Sequence, residues 1–321
     1  MLINVHGHMA GSVSGGCLER NVITQARAAL MDGRSRLLAF DTTDNDDLAF
    51  GSSLGCQGKI WIGLEVLAVK KAWPLEGFVA DVRQRRSPAV LITRINDDET
   101  FEVTLEREHT EPHVSAVLKE RKSLFDGATV AGGRLLEYLP PPLSLVLFGG
   151  NHDITPMLRL GLELGHDVTI VDRRPEFAAA DRFPGAKRVV AVRPHEISSR
   201  VTLDQRTAAV VMNHHYDTDR DVLAALLPLG LPHIAVLGPK RRTERILAEL
   251  DAEGHDVEAV RSTIFGPAGL DIGADTPEQI ALSVLAEIQA SLSGRGGGSL
   301  RARNAPIHGD NRSPLACPVP A

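Results

Sequence analysis

The hydrophobic and polar positions of the first part of the chain predict one long helix followed by several strands. Residues Leu18–Asp32 carry apolar side chains at helical spacing, and Gly33 is placed to end the helix. Short apolar runs separated by Asp-rich or Gly-rich turns come next. They predict strands that begin near Leu37, Ile60, Ala89 and Thr100. Residues 1–125 are therefore predicted to form a sheet-rich α+β domain.

The pattern changes at residue 144, where apolar runs begin to alternate with amphipathic segments. The apolar runs read LVLFGG, DVTIVD, RVVAV, AAVVMN and HIAVLG. Buried strands that alternate with helices predict a doubly wound parallel sheet, so the fold class is α/β with a Rossmann-like domain at 144–291. Its last helix has a capping box, with Thr276 as N-cap, Pro277 at the first helical position and Gln279 two residues later.

Two further segments are predicted from composition. Residues 126–143 end in YLPPP, and consecutive prolines favour an extended connector between the two domains. Residues 292–321 are rich in Gly, Pro and Ser, which predicts a flexible tail.

Charge and composition exclude several classes of partner. The chain has 321 residues and a net charge of −6, so it has no general attraction for nucleic acid. It contains no run of 18 apolar residues and no N-terminal signal peptide, which predicts a protein without a membrane segment. Three widely spaced cysteines favour reduced thiols, so we expect a cytoplasmic location.

Two Gly-flanked cysteines are candidate ligand contacts in the first domain. Gly15, Gly16 and Cys17 stand in GSVSGGCLER, at the mouth of the predicted helix. Backbone N–H groups at a helix N-terminus favour anions and lower the pKa of a thiol, so Cys17 could contact an anionic or metal-bearing ligand. Cys56, in LGCQGKI, could share that site. The alternative is that both thiols are small structural side chains; their spacing does not fit structural zinc.

The segment LVLFGGNHDITPMLRLGLELGHDVTIVD is laid out like a dinucleotide-binding unit. Gly149 and Gly150 form its turn, and Asp172 ends the second strand, where it could bind a ribose hydroxyl. The glycine fingerprint is incomplete, however, because Asn151 occupies the second glycine position. Arg173 follows the acid and could bind a phosphate or face solvent. NAD(P) binding is thus a weaker expectation than the fold.

Two later clusters also lie where a buried strand gives way to a loop. Asn213 and His214, in VVMNHHYDTD, could form a hydrogen-bonding wall for a ligand. Lys240 and Arg241, in GPKRRTER, crowd a helix start that disfavours cations, and a bound anion would relieve this conflict. The alternatives are a plain polar loop and a solvated surface patch.

Taken together, these motifs resemble the XdhC/CoxI family of accessory factors for molybdenum hydroxylases. The resemblance rests on GSVSGGCLE, LGCQGKI, the FGGNHD turn, VTIVDRRPEF, VMNHHYDTD, LGPKRRTERIL and GLDIGADTPEQIALSVLAEI, in that order, between Met1 and about Leu292. Members usually begin with an additional strand and a Gly-Ser-Tyr-Arg-like segment, so we expect that Met1 marks a misassigned or truncated start.

The resemblance implies a cofactor chaperone rather than an enzyme. Such a protein would bind molybdenum cofactor, cooperate with a cysteine desulfurase in its sulfuration, and deliver it to a molybdenum hydroxylase of the xanthine dehydrogenase or CO dehydrogenase type. Cys17 and Cys56 would then contact the molybdenum or its sulfur, and Lys240 and Arg241 would bind the phosphate. A homodimer is compatible with this picture. The alternative functions are an NAD(P)-dependent oxidoreductase and a protein that folds without binding a ligand.

Overall fold

A computed structural model describes residues 1–13, 18–41, 59–67, 73–108 and 111–304. The chain divides into two compact units, the first running from Met1 to Pro140 and the second starting at Pro141. Within the described ranges, no helix is both long and apolar enough to cross a membrane.

In its described residues, the first unit combines three helices with small antiparallel sheets. Strands β1 and β2 pair with each other, β3 pairs with β4, and four strands form a sheet in the order β6-β5-β8-β7. The elements are β1 Leu2–Ile3, β2 Met9–Ala10, α1 Glu19–Asp32, β3 Arg36–Asp41, β4 Lys59–Leu64, α2 Pro74–Arg85, β5 Ala89–Ile95, β6 Phe101–Glu106, α3 Pro112–Glu120, β7 Leu124–Asp126 and β8 Arg134–Leu139.

The helix predicted from the first apolar pattern is α1, and it ends at Gly33, whose φ of 69° is left-handed. Val22 of α1 is 1% exposed and packs with Leu18 and with Ile62 of β4. On the four-stranded sheet, Leu136 lies on the face that packs against α3. The predicted strands of this domain are therefore present, whereas α2 and α3 were not predicted.

A strand occupies part of the range 126–143 that the sequence predicts to be an extended connector. Strand β8 lies inside that range and hydrogen-bonds to β5 on one side and β7 on the other. Its Leu136 is completely buried. The strand is stabilised by these long-range pairings, which the Gly-rich and Pro-rich flanking sequence does not reveal. The three prolines follow β8 directly, and the boundary between the two units along the chain falls after Pro140.

The second unit is a parallel sheet with helices on both faces, as the alternating pattern predicts. Its strand order is β11-β10-β9-β12-β13-β14, and every neighbouring pair is parallel. This is the strand order 3-2-1-4-5-6 of a Rossmann fold. The elements are β9 Ser144–Phe148, α4 Ile154–Glu163, β10 Asp167–Asp172, β11 Arg188–Ala191, α5 Ile197–Arg200, β12 Thr207–Val211, α6 Tyr216–Leu226, β13 His233–Val236, α7 Lys240–Ala252, α8 Val257–Val260, β14 Ile264–Phe265 and α9 Pro277–Leu292.

Two hydrophobic clusters, one on each face, hold this sheet between its helices. Val146 and Phe148 of β9 belong to one cluster, and Leu145 and Leu147 belong to the other, as alternation along a strand requires. The predicted capping box of α9 is present, with Thr276 accepting from the N–H of Gln279 and Gln279 reaching back. Of the predicted tail, the structure describes residues up to 304.

Candidate functional site

The candidate site lies at the carboxyl ends of the parallel strands, where the strand order reverses between β9 and β12. Open α/β sheets bind ligands at this switch point. The turn after β9 and the loop after β12 approach each other here. Gly149 has a φ of 129°, and a Cβ at this position would lie 2.6 Å from the carbonyl oxygen of Met212. A glycine is therefore required for the two loops to meet.

The predicted ribose-binding acid, Asp172, has its hydrogen-bonding capacity used within the chain. Its Oδ2 accepts from the N–H of Gly150 at 2.8 Å and from Nη2 of Arg174 at 2.9 Å. Its Oδ1 accepts from the backbone N–H and the Nε of Arg174 at 2.8 and 3.0 Å. Arg174 in turn stacks on Phe177, 3.6 Å from the ring centroid. The carboxylate thus fixes a guanidinium at the place where a ribose would bind.

Asp172 and Arg174 stabilise each other's charged forms. Burial alone would raise the pKa of Asp172, but hydrogen bonds from Arg174 and Gly150 outweigh it, and the net pKa lies below the ordinary value. The hydrogen bond with Asp172 raises the pKa of Arg174. The pair is therefore ionised at neutral pH.

The start of α4 differs from a pyrophosphate-binding turn in two ways. Asn151 places a side chain at the second glycine position, and its Nδ2 reaches the carbonyl oxygen of Asn213 at 3.5 Å. Asp153 is the N-cap residue of α4 and makes no side-chain capping bond, but it adds an acidic residue to the helix end that would attract a phosphate. Its Oδ2 is in hydrogen-bond contact with Nε2 of His214. The residues present do not fit the usual recognition of a dinucleotide pyrophosphate.

His214 is held in an unusual backbone conformation. Its φ is 59°, which is left-handed and uncommon for a residue other than glycine. The preceding residue, Asn213, is buried and donates from its backbone N–H and its Nδ2 to Oδ1 of Asp219. These bonds hold the loop after β12 against α6. Strained residues of this kind often mark a functional loop.

The basic cluster at the start of α7 is partly neutralised by a buried acid. Arg242 forms an ion pair with Asp219, whose side chain is completely buried. Lys240 and Arg241 have exposed side chains. The conflict between these cations and the helix dipole is thus reduced at Arg242 without a bound anion.

A cleft of about 630 Å3 opens beside the Asp172–Arg174 pair. Three strand ends contribute to it, because residues that follow β10, β11 and β12 line its walls. Its basic side chains are Arg173, Arg174, Arg193, His195 and His215. Its acidic side chains are Glu176, Asp217 and Asp221. Arg173 and Arg193 are exposed, so this cleft offers guanidinium groups to an anion.

The predicted thiol site falls outside the described part of the chain. Gly15, Gly16, Cys17 and Cys56 are not among the described residues. Within the described ranges, no group of three or more His, Cys, Asp or Glu side chains could hold a metal ion. The molybdenum or sulfur contact of the cysteines stays a prediction.

The structure adds two acids that sequence reasoning missed. Asp219 lies six residues after Asn213, and it is buried against Arg242 of a different helix. Asp153 meets His214 from a loop 61 residues away. An acidic residue close to the start of a helix was the available signal for both, but such residues are common on surfaces.

Comparison with known proteins identifies relatives of both units. Residues 145–288 match the family model described as XdhC Rossmann domain, and residues 1–41 match the model of the XdhC and CoxI family. A solved structure described as a xanthine dehydrogenase from Bacillus halodurans is 24% identical, with a TM-score of 0.72 over 93% of this chain and 87% of that one. It supports the fold.

Two curated proteins are also similar. A Bacillus subtilis protein, described as a probable xanthine dehydrogenase subunit, is 29% identical over 296 residues, which is 90% of this chain and 86% of that protein. The uncharacterized protein YqeB of Escherichia coli is 28% identical over 144 residues, 45% of this chain and 26% of that protein. Because the two family models together match more than half of the residues and the Bacillus subtilis relative aligns along nearly the whole chain, the protein belongs to the XdhC and CoxI family.

Proposed function

We propose that the protein is an accessory factor that binds molybdenum cofactor, assists its sulfuration and delivers it to a molybdenum hydroxylase of the xanthine dehydrogenase or CO dehydrogenase type. The observation that carries the proposal is the cleft at the carboxyl edge of the sheet. Arg173 and Arg193 offer it two exposed guanidinium groups, while Asp172 is already paired with Arg174. This arrangement suits a phosphate better than a ribose hydroxyl.

The similarity to a Bacillus subtilis protein named for xanthine dehydrogenase supports the identity of the client. When bound, the cofactor supplies the metal centre and its terminal sulfur, and the chain binds and orients it. Arg173 and Arg193 would hold the phosphate end. Cys17 and Cys56 would contact the molybdenum or sulfur, and a cysteine desulfurase would supply that sulfur. A homodimer is part of the same proposal.

The test is activation of an apo molybdenum hydroxylase by cofactor and a cysteine desulfurase, with and without this protein. The double variant Arg173→Ala, Arg193→Ala should reduce client activation and cofactor affinity by about tenfold or more, because charge-assisted hydrogen bonds to the phosphate are lost. Arg245→Ala is the control, since Arg245 is equally basic but lies on α7, paired with Glu249. If both variants activate the client equally well, the cleft does not bind the cofactor.

The strand order of the second unit favours one other candidate, an NAD(P)-dependent oxidoreductase. Titration with NADH and NADPH alongside the cofactor separates the two functions. Tight nicotinamide binding with no cofactor binding would favour the oxidoreductase. The side chain of Asn151 and the negative charge of Asp153 both disfavour a dinucleotide pyrophosphate at the start of α4. We therefore expect molybdenum cofactor to bind more tightly than NADH or NADPH.

A further inference from the structure

The first unit contains a mainly apolar cavity of about 530 Å3, within the size range of small-molecule sites. It lies between the antiparallel pair of strands β3 and β4 and one face of the sheet β6-β5-β8-β7. Leu91, Thr93 and Ile95 alternate along β5 and line the cavity. The intervening Val90 and Ile92 point to the opposite face, which α3 covers. The cavity therefore lies between two layers of one unit.

A carboxyl group lies within this apolar sheet face. Glu137 of β8 is directly opposite Leu91 in the strand register, and Leu135, two residues earlier, lines the same cavity. The described residues offer the Glu137 carboxyl no hydrogen-bond partner. Burial raises its pKa above the ordinary value. Glu137 is partly exposed, so water can solvate its carboxyl group while the cavity is empty, and a ligand that displaces this water has to donate hydrogen bonds in its place.

The walls of the cavity are rich in aromatic side chains. Trp61, Trp73, Phe101 and Phe125 line it. Gly63 of β4 allows Phe101 to come close, because a Cβ at position 63 would lie 2.9 Å from its ring. Flat aromatic surfaces bind other flat rings well. Two more charged side chains of the described lining, Lys59 and Glu65, belong to β4 and the residue just beyond it.

We propose that this cavity binds a planar heterocycle that contacts the aromatic walls and donates adjacent N–H groups to the carboxylate of Glu137. A ring N–H next to an exocyclic amino group matches the two oxygens of a carboxylate, as a guanidinium does. Pterins and guanine-type purines share this edge. If the heterocycle is a pterin, the inference deepens the proposed function and rests on it; if it is a purine, it stands on the cavity alone.

The experiment titrates the full chain with pterin and, separately, with 9-methylguanine, without molybdenum, client or desulfurase. Calorimetry gives the affinity. Tryptophan fluorescence reports on the site directly, since both tryptophans of the chain line the cavity. We expect saturable binding that changes this fluorescence. Binding of pterin alone indicates a cofactor site, and tighter binding of 9-methylguanine indicates a purine site.

The variant Glu137→Gln should bind the preferred heterocycle about tenfold or more weakly, because a charged acceptor is replaced by an amide. The control is Glu102→Gln, the same change on the opposite face of the same sheet, and it should bind like the parent. Thermal melts check folding; removal of a partly buried charge should not lower the melting temperature of Glu137→Gln. If Glu137→Gln does lower the melting temperature, a second variant tests the cavity with Glu137 intact. Val103→Phe places a larger side chain in the cavity and should abolish binding.

The proposal is overturned if neither heterocycle binds, or if Glu137→Gln binds as well as the parent. Neither outcome would contradict the proposed function, because that is measured by client activation and by the Arg173 and Arg193 variants. Conversely, a protein that binds pterin through Glu137 but fails to activate the client would retain this site and lose the proposed function.

Discussion

At the scale of single residues, Asp172 shows how neighbours decide what a motif residue does. Its position after a strand of a Rossmann-like unit predicts a ribose contact. In the folded chain, four hydrogen bonds from Gly150 and Arg174 take up both of its oxygens. The same acid therefore acts as an anchor for an arginine.

The anchor can be tested by removing its partner. Arg174→Met should destabilise the protein by about 2–3 kcal/mol, because a buried carboxylate loses its counter-ion while Arg174 itself is partly exposed. The adjacent Arg173→Met is the control, with an expected change within about 0.5 kcal/mol, since Arg173 is exposed. Urea unfolding at pH 7 measures both. A similar loss for the two variants would mean that the Asp172 pair contributes little.

The pH dependence of that loss has a defined sign. The folded pKa of Asp172 lies below its ordinary value of 3.8, so the pair stabilises the protein fully above that value. The contribution is lost as the pH falls through the folded pKa. In Arg174→Met, burial without the guanidinium raises the pKa of Asp172, so protonation relieves the unpaired charge of the variant as the pH falls. The difference between the parent and Arg174→Met should therefore be largest at neutral pH and shrink in acid. A difference that stays constant down to about pH 3 would contradict the assignment to Asp172.

At the scale of elements, strand β13 begins with a histidine in an apolar position. His233 is completely buried, stacks on Phe265 with ring centroids 4.0 Å apart, and has no hydrogen-bond partner at either ring nitrogen among the described residues. Burial lowers its pKa from 6.5 to about 4. The apolar surroundings of His233 therefore favour its neutral form over the protonated form.

The protein should therefore lose stability in acid because of His233 in β13. Because the unfolded chain binds a proton at His233 below pH 6.5 and the folded one does so near pH 4, stability is complete above about pH 7. It falls by about 3 kcal/mol as the pH drops from 6.5 to 4. His233→Phe should remove this part of the slope in urea unfolding across that range. His152→Phe, at an exposed position, should leave it unchanged. An unaltered slope in His233→Phe would contradict the assignment.

At the scale of the whole molecule, the two units have separate cores. Among the described residues, both clusters of the second unit lie between Leu143 and Leu292, and both clusters of the first lie between Ile3 and Tyr138. Apolar burial is the main stabilising contribution to folding, so each unit has the means to fold by itself.

A fragment of residues 141–304 should therefore fold without the rest of the chain. We expect a single cooperative urea transition and the His233-dependent loss of stability below pH 6.5. Circular dichroism across a urea series measures both. A fragment that stays unfolded, or unfolds without cooperativity, would show that the second unit needs the first.

Several features follow from the sequence alone because they depend on near neighbours. The capping box at Thr276 and Gln279 and the glycine that ends α1 are fixed by residues within one helical turn. The alternation of buried strands with amphipathic helices was sufficient to predict the parallel sheet of the second unit. The motif resemblance was sufficient to identify the family.

The tertiary structure alone decided which distant side chains meet. Asp153 and His214 are 61 residues apart in sequence, and Arg242 reaches Asp219 from another helix. Glu137 lay in a predicted connector, and its place in an apolar cavity became visible once β8 was found paired between β5 and β7. The physical reason is that local periodicity determines elements, whereas strand pairing and loop contacts join residues whose separation carries no sequence signal.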